Sequence, residues 1–354
     1  MATVPWLIGV INAQRSRSRN TWADQLMSVL LKPYATVPNH RSTSRFYLAD
    51  CVALLEQLPA ESVDVVVTSP PYNLGVRYNT YEDALPQTEY LRWTDAWVTA
   101  AARVLRPDGS LFLNVGTRPS DPWTALDVAQ AVRARLRLQN IIHWVKSIAI
   151  DRNSAGAASG LSRDLAVGHY KPINSDRFLN DCHEFVFHFT PGGDSRLDRL
   201  ALGVPYQDES NVRRWAAAAT GVRCRGNTWF IPYETIQRRD RDRPHPATFP
   251  SRLPEQCLKL HGVSRIQTAL DPFTGLGATA VACARLGVNF IGSDIDEMYL
   301  QEAVERATAV AGRQALPGRG AARMAKVRTR RSARAATPPT AAAAASGRTR
   351  SSAT

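Results

Sequence analysis

The residues best able to do chemistry in this 354-residue sequence lie in two short segments that are far apart along the chain. The first is Ser69-Pro70-Pro71-Tyr72, which places a hydroxyl, a rigid backbone and an aromatic ring side by side. Proline has no N–H and fixes its own φ, so the pair ends the preceding strand and holds its carbonyl groups in place. Such a loop could accept hydrogen bonds from a ligand and stack against a flat one. An ordinary turn after a strand would also fit this tetrapeptide.

The second segment runs from Asp271 to Gly277 and reads Asp-Pro-Phe-Thr-Gly-Leu-Gly. Its glycines allow a sharp turn and a close approach of a ligand to the backbone, where a Cβ would intrude. A further acid, Asp294, ends the next predicted strand, and an acid at that place commonly binds the ribose of an adenosine-type cofactor. The third glycine of the dinucleotide fingerprint is missing, and no GxxxxGK[ST] occurs. Pyrophosphate cofactors and nucleoside triphosphates are therefore disfavoured.

Both segments follow stretches that predict strands. Val63 to Val67 contains four valines and one acid, a run typical of a strand that is buried on both faces. Ile266 to Leu270 precedes the glycine-rich segment in the same way. In an α/β sheet, the space just past the carboxyl end of a strand is often a ligand site.

Other predicted strands and helices alternate along the body of the chain, which indicates a mostly parallel sheet with helices on both faces. Thr88 to Leu105 predicts an amphipathic helix with Thr88 as its N-cap. The remaining predicted strands are 45–49, 110–115, 141–145, 184–189, 228–231 and 288–293, and the remaining predicted helices are 52–58, 127–136, 254–260, 279–286 and 298–310.

Composition excludes several classes of protein. Hydrophobic residues make up 44% of the chain, enough for a sizeable core. The five cysteines never form a CxxC, which argues against a disulfide framework or a zinc site and fits a reducing cytoplasm. No apolar run reaches membrane-spanning length, and the N-terminus lacks the apolar region of a signal peptide, so we expect a cytoplasmic protein without a membrane partner. Nothing in the sequence predicts the oligomeric state.

The net charge of +13 is concentrated at the two ends of the chain. Residues 312–354 hold ten Lys or Arg and no acid, and their composition predicts a disordered basic tail. Residues 1–44 have no clear periodicity and are interpreted as an extension outside the core. The basic ends suggest a polyanionic partner, although such tails can also serve solubility alone.

Three motifs together resemble those of S-adenosylmethionine-dependent DNA amino-methyltransferases: Thr68 to Asn73, His245 to Pro250, and Asp271 to Gly277. Their order, with the catalytic motif first, resembles the circularly permuted beta group. The resemblance covers about residues 45–311. It implies a Rossmann-like methyltransferase fold, with a seven-stranded, mostly parallel sheet and one antiparallel edge strand. Target recognition would then lie in the irregular insertions at about 147–181 and 191–227.

The resemblance also assigns residues to the cofactor, S-adenosyl-L-methionine. These are Asp50 near the adenine, Phe249 and Pro250 at the methionine side, Asp271, Phe273, Gly275 and Gly277 along the pocket, and Asp294 at the ribose. No metal is implied.

The same resemblance makes Ser69, Pro70, Pro71 and Tyr72 the catalytic residues. The exocyclic amine of a base is a poor nucleophile, so the enzyme has mainly to position it in line with an activated methyl group. Ser69 Oγ and the Pro70 carbonyl would accept hydrogen bonds from that amine, and Tyr72 would stack on a base flipped out of duplex DNA. No Pro-Cys dipeptide occurs, which argues against covalent methylation of cytosine C5.

In this family, Ser-Pro-Pro-Tyr usually accompanies cytosine N4, and Asp-Pro-Pro-Tyr accompanies adenine N6. Ser69 therefore favours cytosine N4, with adenine N6 on the same scaffold as the alternative. A catalytically silent DNA-binding protein and a methyltransferase that acts on RNA or protein are further alternatives. A cognate restriction endonuclease is a partner that the resemblance allows but that the sequence cannot demonstrate.

Basic residues of the two insertions are candidates for contacts to phosphates or guanines. They are Arg152, Arg163, Lys171, Arg177, Arg213, Arg214, Arg223 and Arg225. No role is assigned to His183 or Glu184. Trp144 and Lys146 resemble a strand end near the base pocket in this family, but they are interpreted as packing residues.

Overall fold

The computed structural model describes residues 32–168, 175–206, 221–232 and 248–315. Within them, nine strands form one sheet in the order β1-β2-β13-β12-β3-β4-β8-β5-β11. The strands of this sheet are β1 (Ala35–Pro38), β2 (Thr43–Leu48), β3 (Val63–Thr68), β4 (Leu105–Val115), β5 (Arg137–Val145), β8 (His183–Thr190), β11 (Thr228–Phe230), β12 (Thr268–Asp271) and β13 (Asn289–Asp294). Two small hairpins pair β6 (Ile148–Ile150) with β7 (Leu165–Val167) and β9 (Val204–Pro205) with β10 (Val222–Arg223).

Helices cover both faces of the sheet. They are α1 (Cys51–Gln57), α2 (Gln87–Val104), α3 (Thr124–Arg133), the single-turn α4 (Arg152–Ala155), α5 (Arg252–His261), α6 (Ala278–Leu286) and α7 (Glu297–Ala315). On β3, Val66 packs into one hydrophobic cluster with residues of α1, α2 and α3. Its neighbours Val65 and Val67 pack into a second cluster with residues of α5, α6 and α7. The valine run is therefore buried on both faces, as its composition predicts.

Asp64 is the one acid within that valine run, and it fixes β3 against β12. Its Oδ2 accepts from the backbone N–H groups of Gln267 and Thr268, both at 2.8 Å. Arg106 Nε lies 3.3 Å from Oδ1. Burial raises the pKa of Asp64, against the effect of these partners. Because the two strands run in parallel from this anchored end, the loops that follow them leave the sheet at the same edge.

The Rossmann-like α/β class is confirmed, and each strand and helix predicted for the body of the chain has a counterpart. The sheet differs from the expected one in strand number, nine against seven. It differs also in its antiparallel members. β1 is an antiparallel edge strand, but β8 is antiparallel and interior, between β4 and β5.

Two local predictions change. Residues 35–38, expected to lie in an extension, form β1, so the sheet begins before the strand predicted at 45–49. Thr88 is not an N-cap. The helix begins at Gln87 after Pro86, whose side chain makes no capping hydrogen bond. Proline's fixed φ suits it to a helix start, which a search for capping side chains overlooks.

The chain divides into residues 1–313, which contain the sheet, and residues 314–354. Residues 312–315, predicted to belong to the disordered tail, form the end of α7. The rest of the predicted tail, 316–354, and residues 1–31 lie outside the described part of the chain. Within the described ranges, no helix has the length and apolar content needed to cross a bilayer.

Candidate active site

The two segments singled out in the sequence meet in one cleft at the carboxyl edge of the sheet. The cleft has an empty volume of about 1130 Å³, part of it open to solvent. Its lining includes Asp50, Ser69, Pro70, Pro71, Tyr72, Tyr78, Tyr81, Trp93, Asn114, Trp144, Glu184, Phe249, Phe273, Gly275 and Asp294. Tyr72 and Phe273 therefore open onto the same space, although 200 residues separate them in the sequence.

Polar side chains from four strands converge at one end of this cleft, which we call the catalytic end: Ser69, Tyr72, Asn114, Lys146 and Glu184. Ser69 Oγ and Tyr72 Oη are 2.6 Å apart, and Tyr72 Oη donates to Glu184 Oε2 at 3.2 Å. Asn114 Nδ2 donates to Glu184 Oε2 at 2.7 Å and also contacts Tyr72 Oη. Lys146 Nζ forms an ion pair with Glu184 Oε1 at 3.0 Å.

Asn114 and Glu184 line the cleft and Lys146 pairs with Glu184, but sequence reasoning assigned none of the three to the site. Asn114 lies near the end of β4, Lys146 follows β5 and Glu184 lies at the start of β8. Because β8 is antiparallel, its amino end lies at the same edge as the carboxyl ends of β4 and β5. The polar residues at these predicted strand ends were a usable indication, but only the strand order shows that they meet.

The loop after Tyr72 is held by its own side chains. Asp83 accepts from the backbone N–H groups of Asn73, Leu74 and Val76 at 2.7 to 3.0 Å. Asn73, whose φ is +59°, closes the loop through two hydrogen bonds to the Leu85 backbone. The fixed loop carries two tyrosines, Tyr78 and Tyr81, into the lining of the cleft.

Pro71 is fixed from outside the loop, since Tyr90 Oη donates to its carbonyl at 2.9 Å.

The opposite end of the cleft, which we call the cofactor end, is built from a glycine turn and one acid. Asp294 Oδ2 accepts from the Gly275 N–H at 2.8 Å, and its Oδ1 accepts from the Asp296 N–H at 2.9 Å. Gly275 has a φ of +48°, in the left-handed region that favours glycine. Burial raises the pKa of Asp294. The carboxylate retains lone pairs that can accept from a ligand's hydroxyl groups.

Aromatic rings form one wall of the cleft. Phe273 meets Trp93 and Trp97 edge-on, with ring centroids 5.5 and 5.4 Å apart. Phe249 lines the cleft as well. An acid beside a glycine that lines the cleft and an apolar wall fits a ligand with a polar sugar and a flat ring, as an adenosine-type cofactor has.

Asp271 lies outside the cleft lining. It is 1% exposed, and its carboxylate accepts from Thr68 Oγ1 and Thr279 Oγ1, both at 2.7 Å. It thereby connects the residue before Ser69 to the first turn of α6. Burial raises the pKa of Asp271 to about 7. In the structure this predicted cofactor residue contacts protein groups.

Three other predicted cofactor residues have structural contacts. Gly277, with a φ of +73°, lies against α7, where an added Cβ would come within 2.7 Å of Ala303 Cβ. Asp50 lines the cleft, but its Oδ1 also caps α1 by accepting from the Val52 and Ala53 N–H groups. The Pro250 carbonyl accepts from the N–H of Leu253, outside the cleft lining. The start of its motif, residues 245–247, lies outside the described residues.

The candidate DNA-binding residues differ in exposure. Arg152, Arg163, Arg177 and Arg223 are exposed, whereas Arg225 is half-buried and donates to the Leu202 carbonyl at 3.2 Å. Lys171, Arg213 and Arg214 lie outside the described residues. Within the described ranges no group of three or more His, Cys, Asp or Glu side chains is arranged to hold a metal ion.

Comparison with known proteins gives concordant results. A family model described as DNA methylase, N6_N4_Mtase, matches residues 63–305. The type II methyltransferase M.ScaI of Streptomyces caespitosus is 29% identical over 307 residues, which cover 84% of this chain and 91% of that protein. The type II methyltransferase M.HpaI of Haemophilus parainfluenzae is 26% identical over 263 residues, 74% of this chain and 73% of that protein.

Among solved structures, the PvuII DNA methyltransferase (cytosine-N4-specific) has the same fold. It superposes with a TM-score of 0.51 at 18% identity and covers 80% of this chain and 95% of that one.

Proposed function

The chain belongs to the N6_N4_Mtase family of DNA methylases, and on that premise we propose that it is a site-specific methyltransferase acting on cytosine N4 in duplex DNA. The observation that carries the proposal is the shared cleft. Ser69 and Tyr72 line one end of it, and Phe273, Gly275 and Asp294 line the other. A methyl donor and a methyl acceptor can therefore occupy the same space, which a direct transfer requires.

S-adenosyl-L-methionine supplies a methyl group that is already activated by its positive sulfur. The cofactor end of the cleft is suited to hold it. Asp294 would accept from the ribose hydroxyls, and the backbone at Gly275 allows a close approach. Phe273 and Phe249 would pack against its apolar parts, and Asp50 would lie near the adenine.

The catalytic end would receive the base. Ser69 Oγ and the Pro70 carbonyl would accept from the hydrogens of the exocyclic amine, which localises its lone pair toward the methyl group. Pro71 keeps this backbone rigid, and Tyr90 fixes its carbonyl. The ring of Tyr72 would stack on the base, which has to leave the duplex to reach the cleft.

Ser69 supports cytosine N4 over adenine N6, because the serine form of the catalytic motif usually accompanies cytosine in this family. The alternative is adenine N6 methylation by the same cleft, since both amines donate to the same kind of acceptor.

Recognition of the DNA sequence would reside in the insertions at about 147–181 and 191–227 of the catalytic domain, residues 45–311. The four exposed arginines of these insertions would contact phosphates or guanines. The N-terminal extension and the basic tail would add non-specific attraction to DNA. A cognate restriction endonuclease would complete the system, in keeping with the type II methyltransferases among the relatives.

One experiment tests the activity, the base and the sequence context together. The protein is expressed in a host that lacks DNA methylation, and the host's DNA is sequenced for modified bases. We expect N4-methylcytosine in one short sequence context, and none with the Ser69→Ala variant. N6-methyladenine would establish the alternative, and unmodified DNA despite folded protein would contradict both.

A further inference from the structure

The hydrogen bonds at the catalytic end form a continuous chain from Ser69 through Tyr72 to Glu184. The three groups come from the loop after β3 and from β8, and the two successive distances are 2.6 and 3.2 Å. A chain of hydroxyl groups that ends on a carboxylate can carry a proton away from the site where the first hydroxyl meets a ligand. The proposed function assigns a role to Ser69 and Tyr72 but none to Glu184.

The carboxylate sets the direction of this chain. An ionised Glu184 can only accept hydrogen bonds, so the single hydroxyl hydrogen of Tyr72 points to Glu184. Tyr72 Oη then acts as acceptor toward Ser69, whose own hydrogen must point to Tyr72. Ser69 Oγ then has two lone pairs, of which one accepts from Asn114 Nδ2 at 3.5 Å. The other can accept from an amine hydrogen of a ligand in the cleft.

The surroundings of Glu184 hold its carboxylate in place. Its side chain is 11% exposed. The side chain of Lys146 is 17% exposed, and its Nζ pairs with Oε1 at 3.0 Å. Asn114 Nδ2 donates to the other oxygen, Oε2, at 2.7 Å. A mostly buried carboxylate with a charged partner on one oxygen and an amide on the other is held in a fixed orientation as a hydrogen-bond acceptor.

We propose that Glu184 is the terminal proton acceptor of the methyl transfer, reached from the target amine through Ser69 and Tyr72. The inference rests on the proposed function. As the amine nitrogen bonds to the methyl carbon, the carbon–sulfur bond breaks and its electron pair moves to sulfur. The amine proton passes to Ser69 Oγ, the Ser69 proton to Tyr72, and the Tyr72 proton to Glu184. Glu184 ends as a neutral carboxylic acid and releases its proton to water after the product leaves.

The test is a double-mutant cycle on single-turnover methylation of duplex DNA with Tyr72→Phe, Glu184→Gln and the combined variant. Members of one relay fail together, so each single change should slow transfer by about 100-fold, and the combined variant should be no slower than the slower single variant. Glu56→Gln, the same change at an exposed position on α1, should match the wild type. A combined loss equal to the product of the single losses, or an unimpaired Glu184→Gln, would overturn the relay.

A binding measurement without cofactor gives a second readout. Affinity is compared between duplexes with the normal target base and with an analogue that lacks the exocyclic amine, for wild type and for Glu184→Gln. The cost of flipping each base cancels between the two proteins. The measured quantity is the ratio of the affinity for the normal base to the affinity for the analogue. The relay predicts that this ratio is roughly 2- to 10-fold larger for the wild type than for Glu184→Gln, which is the value of one hydrogen bond. An identical preference in both proteins would count against it.

Should Glu184→Gln fail to fold, Tyr72→Phe carries the test by itself. The relay predicts a solvent deuterium isotope effect on single-turnover transfer in the wild type and its loss in Tyr72→Phe; an isotope effect that persists would refute it. If the wild type itself methylates no DNA, the proposed function fails. If the wild type methylates DNA and the variants behave as independent, only the relay fails.

Discussion

The two ends of the cleft are built in opposite ways. The cofactor end uses residues close together in sequence, since Phe273 and Gly275 lie in one turn and Asp294 ends the very next strand. The catalytic end collects Ser69, Asn114 and Glu184 from three different strand ends, with Lys146 from a fourth. The first end is a backbone cradle that a local motif can encode. The second is a side-chain network that exists only once the sheet has assembled.

This difference has a functional consequence. A glycine turn whose N–H groups hold one acid in place can bind a ligand, but it has few groups that could transfer a proton. A network of hydroxyl, amide, ammonium and carboxylate groups can position an amine and accept its proton. Binding and chemistry should therefore be separable by mutation, and the predictions below test that separation, from the largest expected effect to the smallest.

The sharpest separation is expected for Ser69→Ala. The change removes the hydroxyl proposed to accept from the target amine but leaves the cofactor end intact, so turnover should fall by about 10²- to 10⁴-fold. Cofactor affinity, measured by calorimetry, should stay within about threefold of the wild type, because one lost hydrogen bond at the far end of the cleft does not reach the cradle. Equal losses of turnover and affinity would show that the two ends are one unit.

Asp271 connects the two ends, and its effect should appear in stability as a function of pH. Burial raises its pKa in the folded protein from the ordinary 3.8 to about 7. The folded state thus holds the proton of Asp271 more tightly than the unfolded state. This contributes to the free energy of unfolding: the contribution is complete below about pH 4 and is lost as pH rises to about 7.

The variant Asp271→Asn should lack this contribution. Between pH 4.5 and 7.5 the free energy of unfolding, measured in urea, should therefore fall more for the wild type than for the variant, and the two decreases should differ by up to about 4 kcal/mol. Asp108→Asn, at a side chain that is 74% exposed, is the control and should keep the wild-type slope. If the free energies of unfolding of Asp271→Asn and wild type depend on pH in the same way, the raised pKa of Asp271 is refuted.

Asp294→Ala at the cofactor end should have the opposite effect to Ser69→Ala, with weaker cofactor binding and a nearly unchanged rate. Loss of a charged acceptor, together with its support of the Gly275 N–H, should weaken cofactor binding by about 10- to 100-fold. At saturating cofactor, single-turnover transfer should change by less than about fivefold. A large loss of the saturated rate with unchanged affinity would reverse the roles proposed for the two ends.

The smallest effect concerns Gly277, which the structure places against α7. Gly277→Ala should destabilise the fold by about 1–3 kcal/mol, because the new Cβ meets Ala303 in a left-handed backbone conformation. Cofactor affinity of the folded fraction should change little. Calorimetry at low temperature, where the variant is folded, separates the two outcomes; a selective loss of affinity would return Gly277 to the cofactor site.

Local patterns were enough to predict much of the fold. The valine run of β3, the alternation of strands and helices and the glycine turn after β12 follow from side-chain volume, periodicity and the missing Cβ of glycine. The seven strands came from the resemblance; the local patterns had predicted β11 at 228–231 and missed β1, a short edge strand whose pairing depends on its neighbour. The resemblance placed Asp271 along the cofactor pocket, but the direction of its side chain, toward Thr68 and Thr279, depends on tertiary contacts.

The sequence by itself determined the α/β class, the two loops and the identity of the groups that each loop carries, since these depend on residues within a few positions of one another. The tertiary structure decided that Glu184 belongs to the site. Its strand, β8, runs antiparallel between β4 and β5, so the residue at its start lies beside Asn114 and Tyr72. Had β8 run parallel, Glu184 would lie at the opposite edge of the sheet, and strand direction is set by long-range pairing that no local pattern encodes.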